Sequence, residues 1–456
     1  MPQAAEYQKR RQAFMQSMNS QGVAIFPAAS EVIRSRDTHF PFRQDSDFFY
    51  LTGINEPDAV LVLMPDTETP EVLFVLPRDA HAEVWHGRRL GCDKAQEISG
   101  VSHCYSLDTL DVQLPDFLNG SEHLYFAFDQ FPKFEADLRE HLRNLRSAPK
   151  RTKTAPAHWH DSRPHVHQQR LIKSEAEIAL MQQAADISVT AHKRAMQSVQ
   201  PGVFEYQIDA LLSHEFMHQG GSGPAYGSIV GGGENACILH YTANTDVLKD
   251  GDLLLIDAGC EYQGYAADIT RTFPVNGKFS RAQRAIYELV LAAQEAAFAL
   301  IKPGSSLPKA QDAAVKVLTE GLLHLGILKG SVQQHLDEQS CRRFFIHGLG
   351  HWLGLDVHDV GTYQTDGIPI KLQPGMVLTI EPGLYFAPDD DSVPEQYRGM
   401  GIRIEDDLLV TKDGYCNLTA GVPKSVEGIE ALMASGHRDR ATTRPQRNED
   451  SQRASR

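Results

Sequence analysis

In LLLIDAGCEYQGYAADITRTF, residues 253–273, an apolar run ends in Asp257, a polar turn follows, and the returning run carries Asp268. No other feature constrains the fold as tightly, because carboxylates that end apolar strands can be buried together only if something offsets their charge. Glu261-Tyr262-Gln263-Gly264 reads as a hairpin turn, and a turn centred between Tyr262 and Gln263 sets Asp257 directly opposite Asp268. Side chains so opposed have Cβ atoms about 4.5–5.5 Å apart, and like charges there are destabilising. Two carboxylates persist in apolar surroundings if they share a proton or bind a cation.

The surrounding sequence repeats itself loosely. Ser174-Glu175-Ala176-Glu177 has the form of a capping box and opens a helical pattern to about Val199, closed by Pro201-Gly202. Ser280-Arg281-Ala282-Gln283 has the same form, opens a helix to about Ile301 and meets Pro303-Gly304. A second helical segment follows each, and then strands. The first set carries Asp257 and Asp268; the second, GMVLTIEPGLYF and GMGIRIEDDLLV, carries Glu381 and Glu405. Two related halves facing each other would converge all four carboxylates.

Before residue 165 the chain alternates short β-rich runs (GVAIFPAA, AVLVLMP, EVLFVLP, HLYFAF) with polar helical segments such as EADLREHLRNLR. This predicts a separate α/β domain over 1–168. The stretch RSAPKRTKTAPAHWHDSRPHVH reads as an interdomain linker, and a second domain covers 169–436. From His437 to residue 456 apolar residues almost vanish, the composition of a disordered tail.

Composition narrows the function. The chain has 456 residues, 41% hydrophobic, enough for more than one real core. A formal charge of −15, without a basic patch before the C-terminus, argues against nucleic acid and anionic membranes as partners. The six cysteines form no C-x-x-C, as expected of free thiols in a reducing compartment. The polar N-terminus is no secretory signal and no apolar run is long enough to span a bilayer, which predicts a cytoplasmic location.

Histidines add to the candidate site. FFIHGLGHWLGLDVHD carries His347, His351 and His358. The first two are spaced like a helical zinc pair, but Gly348 stands where the glutamate of H-E-x-x-H belongs, and Gly348 and Gly350 disfavour a regular helix. One imidazole with four carboxylates instead suits Mn²⁺, Co²⁺, Zn²⁺ or Fe²⁺ in a two-metal site, whose cations would remove the repulsion between Asp257 and Asp268. His240 ends an apolar run near the Asp257 strand and joins the candidates. HWHDSRPHVH is denser in histidine (His158, His160, His165, His167) but has only Asp161 as an acidic partner, and is read as solvated or interdomain. The glycines at 231–233 lack the G-K-[ST] of a phosphate loop.

The stretches IDAGCEYQGYAADITRTFPVNGKFS, HGLGHWLGLDVHDVG, LTIEPGLYF and YRGMGIRIEDD resemble the proline-specific aminopeptidases (aminopeptidase P) of the pita-bread metallopeptidase superfamily. The likeness runs from PFRQDSDFFYLTGINEPDAVLVL to GIEALMA, nearly the whole chain. It implies an α/β (α+β) protein, with a creatinase/aminopeptidase P-like N-terminal domain before a pseudo-two-fold catalytic domain built on a curved, mainly antiparallel sheet. It further implies that Asp257 and Asp268 hold one metal, His351 and Glu381 the other, and that Asp268 and Glu405 bridge both. His240, His347 and His358 match histidines that contact substrate or the reacting carbonyl. Tyr226, Tyr385 and Arg403 match supporting pocket residues, and Trp85 matches a residue that approaches a neighbouring subunit's site.

The implied reaction releases the first residue of peptides with proline in second position. A hydroxide bridging two divalent cations, Mn²⁺ first among them, would attack, Glu381 would move the proton, and His358 with His347 would stabilise the oxyanion. A homo-oligomer, dimer or tetramer, is implied as well. The rival enzyme is a prolidase, cleaving only X-Pro dipeptides on the same fold. HWLGLDVHDVG and VPEQYRGMGIRIEDD favour the aminopeptidase. A non-catalytic peptide-binding module is disfavoured by the complete ligand set.

Overall fold

The computed structural model describes residues 3–149 and 152–443. The chain divides into two compact units, Met1–Leu171 with Val360–Thr362, and Ile172–Asp359 with Tyr363–Arg456.

The first unit is built on six strands: β1 (Gly22–Pro27), β2 (Val60–Leu63), β3 (Glu71–Val75), β4 (His103–Ser106), β5 (His123–Phe126) and β6 (His158–Asp161). They lie in the order β4-β3-β2-β1-β5-β6. β1, β2 and β3 are buried along their whole length, which explains their apolar sequences; the exception, Glu71 at the start of β3, accepts from Arg11 Nη2 at 2.9 Å. The second part of the stretch read as a linker, from His158 on, is regular structure. It supplies the edge strand β6 and a helix, Arg163–Arg170, because His-Trp-His-Asp finds a parallel partner in β5. Proline and basic composition hid that strand.

In the second unit both capping boxes form. Ser174 and Glu177 exchange hydrogen bonds at the start of α1 (Glu175–Ser198), and Ser280 and Gln283 do so at α2 (Arg281–Phe298). The first half then builds β7 (Ile229–Gly232), β8 (Leu253–Asp257), β9 (Cys260–Tyr262), β10 (Tyr265–Ala266) and β11 (Thr270–Pro274). The second half builds β12 (Val377–Ile380), β13 (Gly383–Tyr385), β14 (Gly401–Arg403) and β15 (Asp406–Val410). The halves follow one plan, a long antiparallel pair continued beyond a break by a short one. Asp257 is the last residue of β8. Asp268, Glu381 and Glu405 lie in the breaks between strands, where the ladder is interrupted and side chains turn inward.

The hairpin register differs from the expectation. The loop is Gln263-Gly264, closed by Tyr262 opposite Tyr265, and Asp257 therefore faces Thr270 rather than Asp268. Both loop residues have positive φ, 50° and 86°, as a two-residue hairpin of this hand requires. Gln and Gly meet that demand better than Tyr262 would. The register moves by two residues, so parity is kept and Asp257 and Asp268 still share a face.

The break at Ala258-Gly259 releases backbone groups that α1 satisfies. Ser188 Oγ accepts from Cys260 N at 2.9 Å, and His192 Nε2 donates to the Ala258 carbonyl at 2.8 Å. Burial pushes the His192 pKa down to about 4, which keeps the ring neutral. The two halves are tied by Arg271, fully buried, whose guanidinium reaches the Glu405 carbonyl at 2.6 Å and Asp406 Oδ1 at 2.6 Å. The last helix, Val426–Thr443, runs past His437 into the stretch read as a tail; residues 444–456 lie outside the described residues.

A Cβ at Gly259 would sit 1.7 Å from the Ala267 carbonyl oxygen, so the returning strand leaves no room for a side chain. Gly259→Ala is expected to cost about 3 kcal/mol or more in stability, measured by thermal or denaturant unfolding. Gly414→Ala, where an added Cβ meets nothing within 4 Å, should stay near wild type.

Candidate active site

The carboxylates line one cavity of about 650 Å³ in the second unit, together with His240, His347, His351, His358, Tyr226 and Arg403. Asp268, His351 and Glu405 each offer a ligand atom within 4.8 Å of the others. His351 Nε2 lies 3.5 Å from Asp268 Oδ2 and 3.6 Å from Glu381 Oε1. Its Nδ1 donates to the Trp352 carbonyl at 2.9 Å, which leaves Nε2 as the atom facing the carboxylates. Tyr226 joins Asp257 to this group. Its hydroxyl lies 2.6 Å from Asp257 Oδ1 and also contacts Asp268 Oδ1.

Arg403 is the cation that the protein itself supplies. Nη2 donates to Asp257 Oδ2 at 2.6 Å, Nη1 to the Tyr385 hydroxyl at 2.8 Å and Nε to Thr270 Oγ1 at 3.1 Å. The Tyr385 hydroxyl in turn meets His347 Nε2 at 2.8 Å, and His347 Nδ1 donates to the Gly348 carbonyl at 2.8 Å. Both His347 nitrogens are thus engaged. Burial, aided by the Arg403 charge, lowers its pKa to about 4, so the ring is neutral. His358 packs edge-on against His351 with centroids 4.4 Å apart.

The titration pattern shows what the site lacks. Burial raises the Asp257 carboxyl, but the Arg403 charge and the hydrogen bonds from Tyr226 and Arg403 outweigh it, and Asp257 stays ionised below the usual range. Asp268, which has no guanidinium beside it, is pushed up by burial and by Asp257 in spite of its hydrogen bonds with His351 and Tyr226. Burial lifts Glu381 to about 7, and lifts Glu405 well above the carboxylate range with Asp268 adding. His351 is driven the other way. Burial would lower it, yet the Asp268 hydrogen bond and the Asp268 and Glu381 charges raise it to about 9. Four carboxylates against one guanidinium leave a deficit of positive charge that protons fill when the protein has only its own groups. Divalent cations fit the same place: the donors are oxygens and one imidazole, and Nε2 of that imidazole is oriented from behind.

The sequence reading missed the hydroxyls that hold these carboxylates. Thr270 Oγ1 donates to Glu405 Oε2 at 2.7 Å, and Thr379 Oγ1 to Glu381 Oε1 at 3.3 Å. Asp407 Oδ2 accepts from the Asp268 backbone at 3.0 Å. The available signal was strand period: Thr270 and Thr379 each stand two residues from a site carboxylate, on the same face. Trp85 belongs to the first unit, where its side chain is 74% exposed on the helix Ala80–His86.

The profile of metallopeptidase family M24 matches residues 179–412, and that of the aminopeptidase P N-terminal domain matches residues 7–125. The chain is 51% identical over 435 residues to the Xaa-Pro aminopeptidase of Escherichia coli strain K12, covering 95% of this chain and 98% of that one. Zinc-substituted E. coli aminopeptidase P in complex with product superposes with a TM-score of 0.93 at 50% identity, over 95% of this chain and 99% of that one. The same E. coli enzyme with the inhibitor Pro-Leu also gives 0.93 at 50% identity, over 96% and 99%. The second unit has the pita-bread fold, and this chain belongs to metallopeptidase family M24, carrying the aminopeptidase P N-terminal domain ahead of its catalytic unit.

Proposed function

We propose that this chain is a dinuclear metal-dependent aminopeptidase that releases the N-terminal residue from peptides with proline in second position. The observation that carries the reading is the convergence of Asp268, His351 and Glu405 in a cavity also lined by His240, His347 and His358. Relatives of high identity named Xaa-Pro aminopeptidase support the substrate class. Asp257 with Asp268, and His351 with Glu381, would each hold one cation, with Asp268 and Glu405 shared. Mn²⁺ is the proposed metal. Bound divalent cations supply Lewis acidity and lower the pKa of water toward neutrality.

The chain's own residues supply the rest. Glu381 takes the proton of the attacking water and returns it to the proline nitrogen, which lacks a hydrogen of its own in the peptide. His358 stabilises the oxyanion, and His240 holds a substrate carbonyl. His347 acts through its ring wall, since both nitrogens are engaged. Arg403, Tyr385 and Tyr226 keep Asp257 ionised and aimed. The substrate's free amine meets the acidic cluster, which limits cleavage to the first residue. Trp85, exposed on the first unit, is available to a neighbouring subunit in a dimer or tetramer. Free thiols at all six cysteines suit the reducing cytoplasm. Among the described residues no helix is long and apolar enough to cross a membrane.

Chelator-stripped protein restored with Mn²⁺ should release the first residue of an Xaa-Pro-Yaa tripeptide and leave an Xaa-Ala-Yaa control nearly untouched. Cleavage confined to an Xaa-Pro dipeptide would make the protein a prolidase instead. Glu405→Ala should lose bound metal, measured by elemental analysis, with at least a thousandfold loss of kcat/KM; full metal content with normal turnover would refute the assignment.

A pH dependence follows from Glu381. Its carboxyl titrates at about 7 in the folded chain against 4.5 ordinarily, so without metal the folded form holds the proton more tightly. That contribution to stability is complete below about 4.5 and is lost as the pH rises to about 7. A cation takes the proton's place. The difference in Tm between metal-loaded and chelator-stripped protein should therefore widen from about pH 5 to about pH 8; a constant difference would contradict it.

A further inference from the structure

The histidine-rich stretch of residues 158–167 gains partners in the fold that its sequence neighbours do not supply. His158 and His160 are alternate residues of β6 and so share one face of the sheet. β5 runs parallel beside it, pairing His123 with His158 and Tyr125 with His160. Three imidazoles and a phenol ring thus cover one patch on the edge of the first unit's sheet. His123 Nδ1 lies 2.9 Å from His160 Nε2, the His123 and His158 rings stack at 4.9 Å between centroids, and Tyr125 stacks on His160 at 4.6 Å. Glu122 brings a carboxylate oxygen to 4.0 Å from His158 Nε2. The other two histidines of the stretch are engaged elsewhere, His165 with Ser17 Oγ at 2.9 Å and His167 with Asp47 Oδ2 at 3.1 Å.

We propose that His123, His158 and His160 form a second metal site, in the N-terminal unit, for a divalent cation that prefers imidazole, with Zn²⁺ as its type. Two imidazole nitrogens on one tetrahedral zinc stand about 3.3 Å apart, given Zn–N bonds of about 2.0–2.1 Å. The His123–His160 contact must open by a few tenths of an ångström, and both rings tilt, to admit the ion in place of the proton between them. Among the described residues only Asp268, His351 and Glu405 already bring three ligand atoms within 4.8 Å of one another, so this site closes on the ion only when His158 turns in. A His-x-His pair on one strand with a third histidine on the next is a ligand arrangement that strand geometry makes cheap, because alternate side chains project together. His158, stacked on His123, reaches the ion by rotating its exposed ring, and Glu122 or water completes four ligands. Burial lowers the His160 pKa, and the charges of His123, His158 and His165 lower it further, which favours the neutral, ligating form. Bound there, the ion pins the edge strand β6 to β5. None of these residues lines the cavity of the second unit.

The test is calorimetric titration of Zn²⁺ into the full-length, Mn²⁺-saturated protein in excess Mn²⁺, comparing wild type with His123→Asn/His160→Asn. Exchange at the catalytic centre is common to both proteins and cancels in the difference. Wild type should take up one equivalent more, at sub-micromolar Kd, and gain a zinc-dependent rise in Tm that the variant lacks. Peptidase activity before zinc is added should be equal. His158→Asn, a side chain 58% exposed and so harmless to folding, should weaken the extra site at least tenfold. Equal stoichiometry in wild type and double variant, or unchanged affinity in His158→Asn, would overturn the proposal.

Discussion

Everything in the catalytic unit is arranged around the repulsion of four carboxylates brought into one buried cavity. Glu405 is 2% exposed and Asp268 5%, so neither can rely on water for its charge. The fold answers in two ways. Asp257 receives a guanidinium and a phenol and is ionised outright. Asp268, Glu381 and Glu405 receive hydroxyls, from Tyr226, Thr379 and Thr270, which orient them without supplying charge. The remaining deficit is what makes the place a cation site, since removal of like-charge repulsion is then part of the binding energy.

Holding that arrangement requires the two halves to stay in fixed register. Arg271 does this from the first half, bonding the Glu405 carbonyl and the Asp406 carboxylate. Burial would raise the Asp406 carboxyl, but Arg271 and Lys424 prevail and keep it ionised. A buried pair so fully bonded is worth more for registration than for net stability, because desolvation offsets most of its attraction. Across the same seam Thr272 Oγ1 accepts from the Arg403 backbone nitrogen at 3.2 Å and Thr270 Oγ1 reaches Glu405. Glu405 is therefore positioned by a side chain of the first half, and Asp257 by Arg403 of the second.

Much of this was legible in the chain. The capping boxes at Ser174 and Ser280 are local, and local chemistry survives folding unchanged. Parity along a strand is local too, so Asp257 and Asp268 were placed on one face although the turn was set one residue early. That error came from reading Glu261–Gly264 as the turn, when the positive φ of the loop falls to Gln263 and Gly264. Strand β6 was lost for the opposite reason. Its pattern is short, and only pairing with β5 makes it a strand.

By itself the sequence determined which residues are chemically fit for the site, where the helices start, and that each half offers two carboxylates at strand ends. Those properties depend on neighbours a few positions away. Tertiary structure alone decided that Arg403 neutralises Asp257 and not another carboxylate, that His192 repairs the break at Ala258, and that His123 lies against His160. Each of these joins residues far apart in the chain, and the distances that set charge and hydrogen bonding exist only once the strands have paired.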